Sequence, residues 1–496
     1  EATRPAEQPW LYRGSDIPPD PAWTFGTLPN GVRYAVRRGL VPPRQVSIRV
    51  GIEAGSLMER DHERGFAHFI EHLSFRGSRH VPDGEAKRVW QRLGATFGSD
   101  TNAVTTLTQT IYKLDLPGAT AEGLDESMKI LSGMMSGPTM TQAEVDAERR
   151  TVLAENRERQ GPQVRVVDAT TALFFQGQLL SSRAPIGTVE TLNAATPQTL
   201  RAFHDRWYRP ERAIVVVSGD GDPAVFEALI RKHFGQWKAK GPATADPDFG
   251  APADTPRRAE TIVEPGVPMV VSLAWLRPWV QKDDTIAYNQ GKLVDLVAAR
   301  LINRRLEQRA RAGGSFLQAQ VGQEDVARSA DGTFVQIVPM GDDWQAALTD
   351  VRAVIADAMA NPGSPDDIRR EAGEFFSALQ VGVETERAEP ASKQADDILE
   401  AVNIRETVAT AQVALDVFSG IKDGITPEAI LASTRRLFSG VGPRAILTTP
   451  RPLAGGEAAL AQALSAPVAA LASATQGGTV GFDQLPPLGP PGKTDS

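Results

Sequence analysis

Residues 65–78 read GFAHFIEHLSFRGS and carry the strongest functional signal of the chain. They contain two histidines, His68 and His72, four positions apart, with Glu71 between them. On an α-helix, side chains four positions apart lie on one face about 5–6 Å from each other, so both imidazoles can bind one metal ion. Glu71 follows His68 by three positions and lies on nearly the same face. Zinc hydrolases need a Lewis acid that lowers the pKa of a water and a carboxylate base beside it, and this spacing supplies both.

A zinc site needs a third protein ligand, and the second half of the chain contains no histidine. A carboxylate is therefore the expected third ligand. Residues 141–160 (TQAEVDAERRTVLAENRERQ) predict a helix on which Glu148 and Glu155 are two turns apart and share a face. From the residues alone both stay candidates, and a charged helix that merely faces solvent is the alternative. The remaining histidines are expected not to bind the metal: His62, His80, His204 and His233.

The composition is that of an ordinary globular protein. The 496 residues are 41% hydrophobic and 23% charged, which excludes a disordered chain, a collagen and a long coiled coil. A net charge of −8 provides no basic field for a nucleic-acid partner. No apolar run approaches the roughly 18–20 residues that span a bilayer. The absence of cysteine excludes disulfide scaffolds, thiolate zinc sites and cysteine nucleophiles.

Hydrophobic periodicity predicts an α+β fold with mainly antiparallel sheets. Residues 23–38 contain TLPNGVRYAVRR, in which Asn30-Gly31 indicates the turn of a β-hairpin. Strands are also predicted at residues 45–52, 103–116 and 212–218, and helices at 63–77, 84–93, 120–136, 142–159, 195–207 and 222–236. Hairpins and helices follow one another without regular βαβ alternation, which favours antiparallel α+β layers.

Two pairs of similar segments indicate a duplicated domain. VSIRV at residues 46–50 resembles VSLAW at 271–275, and RPERAIVVV at 209–217 resembles VGPRAILTT at 441–449, at nearly the same separation. The alternative is that buried strands resemble one another by composition. We expect the following division: an N-terminal arm at 1–22, a zinc-binding domain at 23–240, a linker at 241–258, a repeat without metal ligands at 259–450, and an Ala-rich helix with a Pro/Gly-rich linker at 451–496. Because linkers connect domains, the native protein is expected to continue past Ser496.

Several blocks beyond the histidine motif resemble one known family. H-x-x-E-H is the inverted zincin signature. AGSLMERDHERGFAHFIEHLSFRGS (54–78), SDTNAVTTLTQTIYKLDLP (99–117) and EVDAERRTVLAE (144–155) resemble blocks of the pitrilysin/insulinase family of zinc metallopeptidases, which includes insulin-degrading enzyme and mitochondrial processing peptidase. The segments at 183–192 and 203–220 are similar to the end of that family's first domain. The resemblance covers about residues 20–450, strongly in the first domain and diffusely in the second.

The resemblance implies a set of metal ligands and a catalytic base. His68, His72 and Glu155 would bind one Zn²⁺ per chain, and Glu71 would be the general base on a zinc-bound water. Glu148 would be a supporting residue. The length of the intervening segment fits Glu148 better as third ligand, whereas the local pattern E-R-x-x-V-L-x-E favours Glu155.

The resemblance also implies a substrate and a partner. Peptide would be bound by strand addition along Asn102, Ala103 and Val104, with an ordinary core strand as the alternative. The chain would be a zinc-dependent endopeptidase for unfolded peptides or small proteins. A second two-domain half, in the same gene product or in a partner subunit, would complete the chamber. Bacterial relatives and the missing initial Met lead us to expect a periplasmic or otherwise exported protein. The alternatives are a noncatalytic scaffold or core subunit and a metal-binding module without hydrolysis.

Overall fold

The computed structural model describes residues 10–471 and begins with the predicted hairpin. Strand β1 (Trp23–Thr27) pairs antiparallel with β2 (Arg33–Arg38). Gly31 in the connecting turn has φ +100°, a conformation that glycine adopts without steric cost. The hairpin predicted from Asn30-Gly31 is confirmed.

The remaining strands complete two sheets. They are β3 (Val46–Ile52), β4 (Thr101–Thr105), β5 (Thr110–Leu116), β6 (Ala213–Gly219), β7 (Ala259–Val263), β8 (Val270–Pro278), β9 (Phe316–Val326), β10 (Ala330–Pro339) and β11 (Val441–Thr449). The strand order is β1-β2-β6-β3-β5-β4 in the first sheet and β7-β11-β8-β10-β9 in the second. The pairs β2–β6 and β7–β11 are parallel and the others are antiparallel. The predicted fold class, two α+β units with mainly antiparallel sheets, is confirmed.

Helices surround both sheets. They are α1 (Phe66–Ser74), α2 (Glu85–Arg92), α3 (Ala121–Ser136), α4 (Gln142–Glu158), α5 (Pro162–Phe174), α6 (Val189–Ala194), α7 (Pro197–Trp207), α8 (Pro223–Phe234), α9 (Ile286–Arg311), α10 (Trp344–Ala360), α11 (Pro365–Thr385), α12 (Ala391–Ile404), α13 (Ala411–Lys422), α14 (Pro427–Leu437) and α15 (Gly456–Ser465). No helix within residues 10–471 has both the length and the apolar character needed to cross a bilayer.

One predicted strand was wrong in its extent. Residues 103–116 form two strands, β4 and β5, that make a hairpin around residues 106–109. The threonines in this stretch have a high β-propensity, which hid the turn in the sequence pattern. Thr106 makes the turn, because its Oγ1 accepts hydrogen bonds from the N–H groups of Thr108 (3.3 Å) and Gln109 (3.0 Å).

The two sheets share one topology once β1 is set aside. The similar segments 46–50 and 271–275 lie in the central strands β3 and β8, and the segments 209–217 and 441–449 include β6 and β11, which occupy equivalent positions. Helix α9 follows β8 as α1 follows β3. This correspondence supports the duplication, whereas the domain boundaries stay a prediction.

Parts of the predicted flanking segments belong to the packed structure. Residues 241–258 contact the first domain, since the N–H of Leu179 donates to the carbonyl of Phe249 (3.0 Å). The predicted Ala-rich helix is α15, whose Leu460 and Leu464 are buried in the core of the second sheet. Residues 1–9 of the predicted arm and 472–496 of the predicted C-terminal linker lie outside the described residues.

A helix from the second half of the chain covers the first sheet. The inner face of this sheet packs against α1 and its neighbours, and its outer face packs against α12. The apolar contact joins strand residues Trp23, Ala35, Ile214 and Val216 to helix residues Ala395, Ile398, Leu399 and Val402. Burial of a side chain such as leucine or isoleucine contributes about 1.5–3 kcal/mol, so this contact binds the two halves of the chain firmly together.

Arg49 reinforces the same contact from within the sheet. Its side chain is 2% exposed on β3. It donates to Asp115 of β5 (Nη1–Oδ1, 2.9 Å) and to Asp396 of α12 (Nε–Oδ1, 2.7 Å). A buried guanidinium needs such paired carboxylates, because an unpaired buried charge is strongly destabilising.

Glu53 forms a second ion-pair cluster between the halves and predicts a pH effect on stability. It pairs with Arg33 of β2 and with Arg405, which follows α12. Burial opposes ionisation, but the two arginines prevail and lower the pKa of Glu53 from 4.5 to about 2. A lowered folded-state pKa stabilises the fold fully above the unfolded-state value, and this stabilisation is lost as the pH falls from about 4.5 towards 2.

We therefore expect the difference in melting temperature between the wild type and Glu53→Gln to be constant near neutral pH. It should shrink as the pH falls below about 4.5. Thermal unfolding of both proteins across this range is the measurement. A difference that persists unchanged through the acidic window would contradict the assigned ion pairs.

Candidate metal centre

Helix α1 starts at a glycine and is held at its N-terminus by a buried carboxylate. Gly65 has φ +91°, and a Cβ at this position would lie 2.9 Å from the Cα of Gly187. The Glu59 carboxylate accepts hydrogen bonds from the N–H groups of Gly65 and Ala67, at 2.9 Å each. These bonds satisfy two backbone donors that a helix start leaves unpaired, and they place α1 in a defined position.

The two faces of α1 have different roles. Phe69, Ile70 and Leu73 are fully buried in the core of the first domain. His68 and His72 lie on the other face, with side chains 12% and 18% exposed, and are directed towards α4. Core packing of one face therefore fixes the direction of the imidazoles on the other.

Helix α4 is tied to the end of α1 by its own first turn. The Thr141 hydroxyl and the Glu144 carboxylate form a capping box, in which Glu144 accepts from the N–H of Thr141 (2.6 Å). The same carboxylate accepts from the N–H of Gly77, just beyond α1 (3.2 Å). This anchor lets Glu148 and Glu155, two turns apart, reach the histidines of α1.

Three side chains converge on one point between α1 and α4. The Nε2 atoms of His68 and His72 are 3.2 Å apart. Glu155 Oε2 lies 3.5 Å from the His68 Nε2, and Glu155 Oε1 lies 3.6 Å from the His72 Nε2. Among residues 10–471, this is the one group of three or more His, Asp or Glu side chains close enough to hold a metal ion.

The spacing of these donor atoms fits a zinc ion. Zinc in a tetrahedral site has Zn–N and Zn–O bonds of about 2.0–2.2 Å, which places neighbouring ligand atoms roughly 3.3–3.6 Å apart. The three observed separations fall in or next to this range. Two imidazoles and one carboxylate are also a ligand set found in catalytic zinc sites, where the fourth position stays open.

Glu148 contacts the site through His72. Its Oε2 lies 3.1 Å from the His72 Nδ1, and its Oε1 accepts from the Nε of Arg76 at 2.6 Å. A carboxylate only accepts, so a neutral His72 that bonds to Glu148 carries its proton on Nδ1, and its Nε2 lone pair then faces His68 and Glu155. Carboxylates in this position orient the histidines of known metal sites, and the supporting role that the resemblance implies for Glu148 stays a prediction.

Burial and neighbouring charges shift the pKa values of His68 and His72 in opposite directions. Burial, with the charges of His72 and Arg159, lowers the pKa of His68 to about 3, so its imidazole is neutral near pH 7. Burial also opposes the charged form of His72, but the hydrogen bond to Glu148 and the charge of Glu155 outweigh it and raise the pKa. Metal binding requires an imidazole nitrogen without a proton, and a neutral imidazole, which His68 is near pH 7, has one such nitrogen.

Glu71 lines the same cleft as the three converging side chains but does not belong to their donor group. It is 8% exposed, and its Oε2 accepts a hydrogen bond from the hydroxyl of Thr105 at 2.6 Å. Burial raises the pKa of Glu71, while the bond from Thr105 opposes that rise. A carboxylate with a raised pKa next to a metal site is suited to accept and return a proton.

The site opens into a cleft of about 890 Å³. Its lining residues include all three candidate ligands, Glu71, Glu148, Asn102 and Ala103. One wall is aromatic: the Phe75 and Phe97 rings meet edge to face at 5.8 Å, and the Lys87 ammonium lies 3.9 Å from the Phe97 centroid. The cleft is large enough for several residues of a peptide.

The other residues singled out from the sequence lie in different places. Val104 is 40% exposed on β4 and is not among the residues that line this cleft. His204 is buried, with Nε2 2.9 Å from the carbonyl of Met135, and His233 pairs with Asp125. These two histidines thus have structural partners.

Sequence reasoning missed several residues of the site, among them Arg76, Lys87, Phe97 and Thr105. Arg76 follows His72 by four positions, and this helical spacing could have identified it. Thr105 lies two positions after Ala103, and strand alternation places both on one face of β4. No local pattern identifies Lys87 or Phe97, because their contact joins α2 to the segment before β4.

Two family profiles match the chain. The profile described as "Insulinase (Peptidase family M16)" matches residues 40–184, and the profile described as "Peptidase M16 inactive domain" matches residues 194–304. Together they bear out the family resemblance found in the sequence.

Named relatives and a solved structure agree with the profiles. Two curated relatives are called "Probable zinc protease PqqL". The one from Haemophilus influenzae is 29% identical over 300 residues, and the one from Escherichia coli is 31% identical over 299; each match covers 60% of this chain and 32% of the relative. The crystal structure of the periplasmic protease PqqL from Escherichia coli has a TM-score of 0.84 at 23% identity, covering 92% of this chain and 51% of that one. The chain thus spans about half the length of this solved relative, whose likeness shows the fold.

Proposed function

Because this chain belongs to the insulinase family, peptidase family M16, we propose that it is a zinc-dependent endopeptidase that hydrolyses unfolded peptides or small proteins. One observation carries the proposal: His68, His72 and Glu155 converge at 3.2–3.6 Å in an open cleft, with Glu71 beside them. A noncatalytic scaffold has no need of this donor set.

His68, His72 and Glu155 hold the metal in this proposal, and Glu148 keeps His72 in the tautomer that binds it. A zinc ion bound by these donors would supply a Lewis acid that lowers the pKa of water and polarises a peptide carbonyl. Glu71 takes a proton from the attacking water and passes it to the amine nitrogen as the C–N bond breaks. The base thus returns to its ionised form after each turnover.

Strand β4 is the proposed binding site for the peptide backbone. It is the last strand of its sheet, and Asn102 and Ala103 line the cleft beside the metal site. A peptide that adds to such an edge gains backbone hydrogen bonds with little demand on its sequence. Asn102, Ala103 and Val104 form the backbone segment for this contact.

The equivalent edge strand of the second sheet, β9, is already hydrogen-bonded to helix α9. Asn303 of α9 accepts from the N–H of Val321 at 2.7 Å and donates to the carbonyl of Val321 at 3.0 Å. Val321 lies in the middle of β9, so a peptide cannot use these backbone groups. This contrast supports strand addition at β4 rather than at β9.

The proposed enzyme acts with a second two-domain half. The solved PqqL chain is about twice as long as the part that this chain matches, and it is titled a periplasmic protease. We therefore propose an exported bacterial protein whose cleft is closed by a further half, in the same polypeptide or in a partner subunit.

Metal removal tests the proposed activity. Cleavage of a quenched, unstructured peptide should stop when a chelator removes the metal and should return when zinc is restored, because the carboxylate and imidazoles cannot replace a Lewis acid. Thermal unfolding with and without chelator serves as the control for loss of structure. Turnover that a chelator leaves unchanged would exclude a metallopeptidase.

A further inference from the structure

The carboxylate of Glu71 is held from the edge strand. The Thr105 hydroxyl donates to Glu71 Oε2 at 2.6 Å, a short charge-assisted bond. Among the residues that the structure describes, no other hydrogen-bond donor contacts this carboxylate. The second oxygen, Oε1, is thus left to accept a proton.

The backbone around Thr105 is itself fixed from two sides. Thr105 ends β4 and is paired with Thr110 of β5. The carbonyl of the next residue, Thr106, accepts from the N–H of Ser56 at 3.1 Å. A Cβ on Gly55 would lie 2.3 Å from that carbonyl oxygen, so the two segments approach more closely than any other residue type would allow.

A glutamate base needs this kind of restraint. Rotation about the terminal bond of a Glu side chain is broad and roughly two-fold, so the carboxylate has no intrinsic preference for one orientation. Proton transfer depends on a base oxygen within hydrogen-bond reach of the water. A donor on one carboxylate oxygen removes the rotational freedom of both.

We infer that Thr105 is a positioning residue that orients Glu71 and thereby links the peptide-binding strand to the base. The inference rests on the proposed role of Glu71. In this role Thr105 keeps its own proton and acts through its hydrogen bond to Glu71. The competing interpretation is that the hydroxyl only ties β4 to α1 as a structural bond.

The same strand provides a matched control. Thr101 lies four positions before Thr105 and on the same face of β4, and its buried Oγ1 has no hydrogen-bond partner among residues 10–471. Thr105→Val removes only the hydroxyl that contacts Glu71. Thr101→Val makes the identical chemical change without touching Glu71, and Thr105→Ser keeps the hydroxyl.

We expect Thr105→Val to lower kcat for a quenched peptide by roughly tenfold to a hundredfold, part of the factor of about 10²–10⁴ that a positioned base supplies. KM and zinc content should be unchanged. Thr105→Ser should recover most of kcat, and Thr101→Val should match the wild type. A changed KM with an unchanged kcat in Thr105→Val would overturn the inference. Equal kcat values for Thr105→Ser and Thr105→Val would also overturn it.

Crystal structures of the metal-free proteins decide the question without any turnover. The Glu71 carboxylate should have the same single orientation in the wild type and in Thr105→Ser. In Thr105→Val it should be rotated or should occupy two alternative conformations. A single unchanged orientation in Thr105→Val would overturn the positioning role. Absence of zinc-dependent cleavage by the wild type would instead refute the proposed function, so the two failures are distinguishable.

Discussion

Replacing Glu71 with glutamine is expected to reduce peptide hydrolysis by about 10²–10⁴-fold while zinc stays bound. Glutamine has the size of glutamate and can still accept the hydrogen bond from Thr105, but its amide cannot take a proton from water. His68, His72 and Glu155 are untouched by the change. The measurements are kcat/KM on a quenched peptide and the zinc content of the purified protein.

Glu158→Gln provides the matched control for this variant. Glu158 lines the same cleft but lies outside the converging donor group, so its loss should change kcat/KM little. Substantial hydrolysis by Glu71→Gln would remove Glu71 as the base. Loss of zinc from the same variant would instead make Glu71 a metal ligand.

Substitutions of Glu155 and Glu148 on α4 should distinguish a metal ligand from a residue that only orients a ligand. Glu155→Gln replaces a charged oxygen donor that lies 3.5–3.6 Å from both imidazole nitrogens, so zinc affinity should fall by more than about 100-fold. Glu148→Gln loses the charge that faces His72 and Arg76, but its amide oxygen can still accept from His72 Nδ1. That change should weaken zinc binding by about 10–100-fold, the usual range for an outer-shell partner.

Competition with a chromophoric chelator measures both affinities, and Glu158→Gln again controls for a lost charge on α4. Stronger loss of zinc from Glu148→Gln than from Glu155→Gln would move the third ligand to Glu148. Equal affinities for both variants and the wild type would mean that the metal is held elsewhere.

The part of the site that lies on one helix could be predicted from the sequence. His68, Glu71 and His72 belong to a single turn, and helical geometry alone brings them together. The choice between Glu155 and Glu148 depends on how α4 lies against α1, which the sequence pattern does not contain. Residue spacing favoured Glu148 and the local pattern favoured Glu155; in the structure Glu155 faces both imidazole nitrogens, and Glu148 contacts the opposite side of His72.

The part of the fold that is local could also be predicted. The hairpin around Asn30-Gly31 follows from turn chemistry. The contact between Arg49 and Asp396 does not, because it joins residues far apart in the chain. The sequence also did not show that α12 covers the first sheet, because the apolar stripe of α12 is that of any amphipathic helix and does not identify its partner.

The position of α12 has a consequence for the order of events during synthesis. The candidate metal ligands and all six strands of the first sheet have been made once the ribosome reaches Gly219, yet the helix that covers the sheet ends only at Ile404. At about 5–20 residues per second, the ribosome leaves the outer face of β3 and β6 uncovered for roughly 10–40 s. During this interval the nascent chain exposes the apolar strand residues that α12 later covers, and exposed apolar surface of this kind promotes aggregation. The first sheet therefore acquires its full cover only after the second half of the chain has been translated.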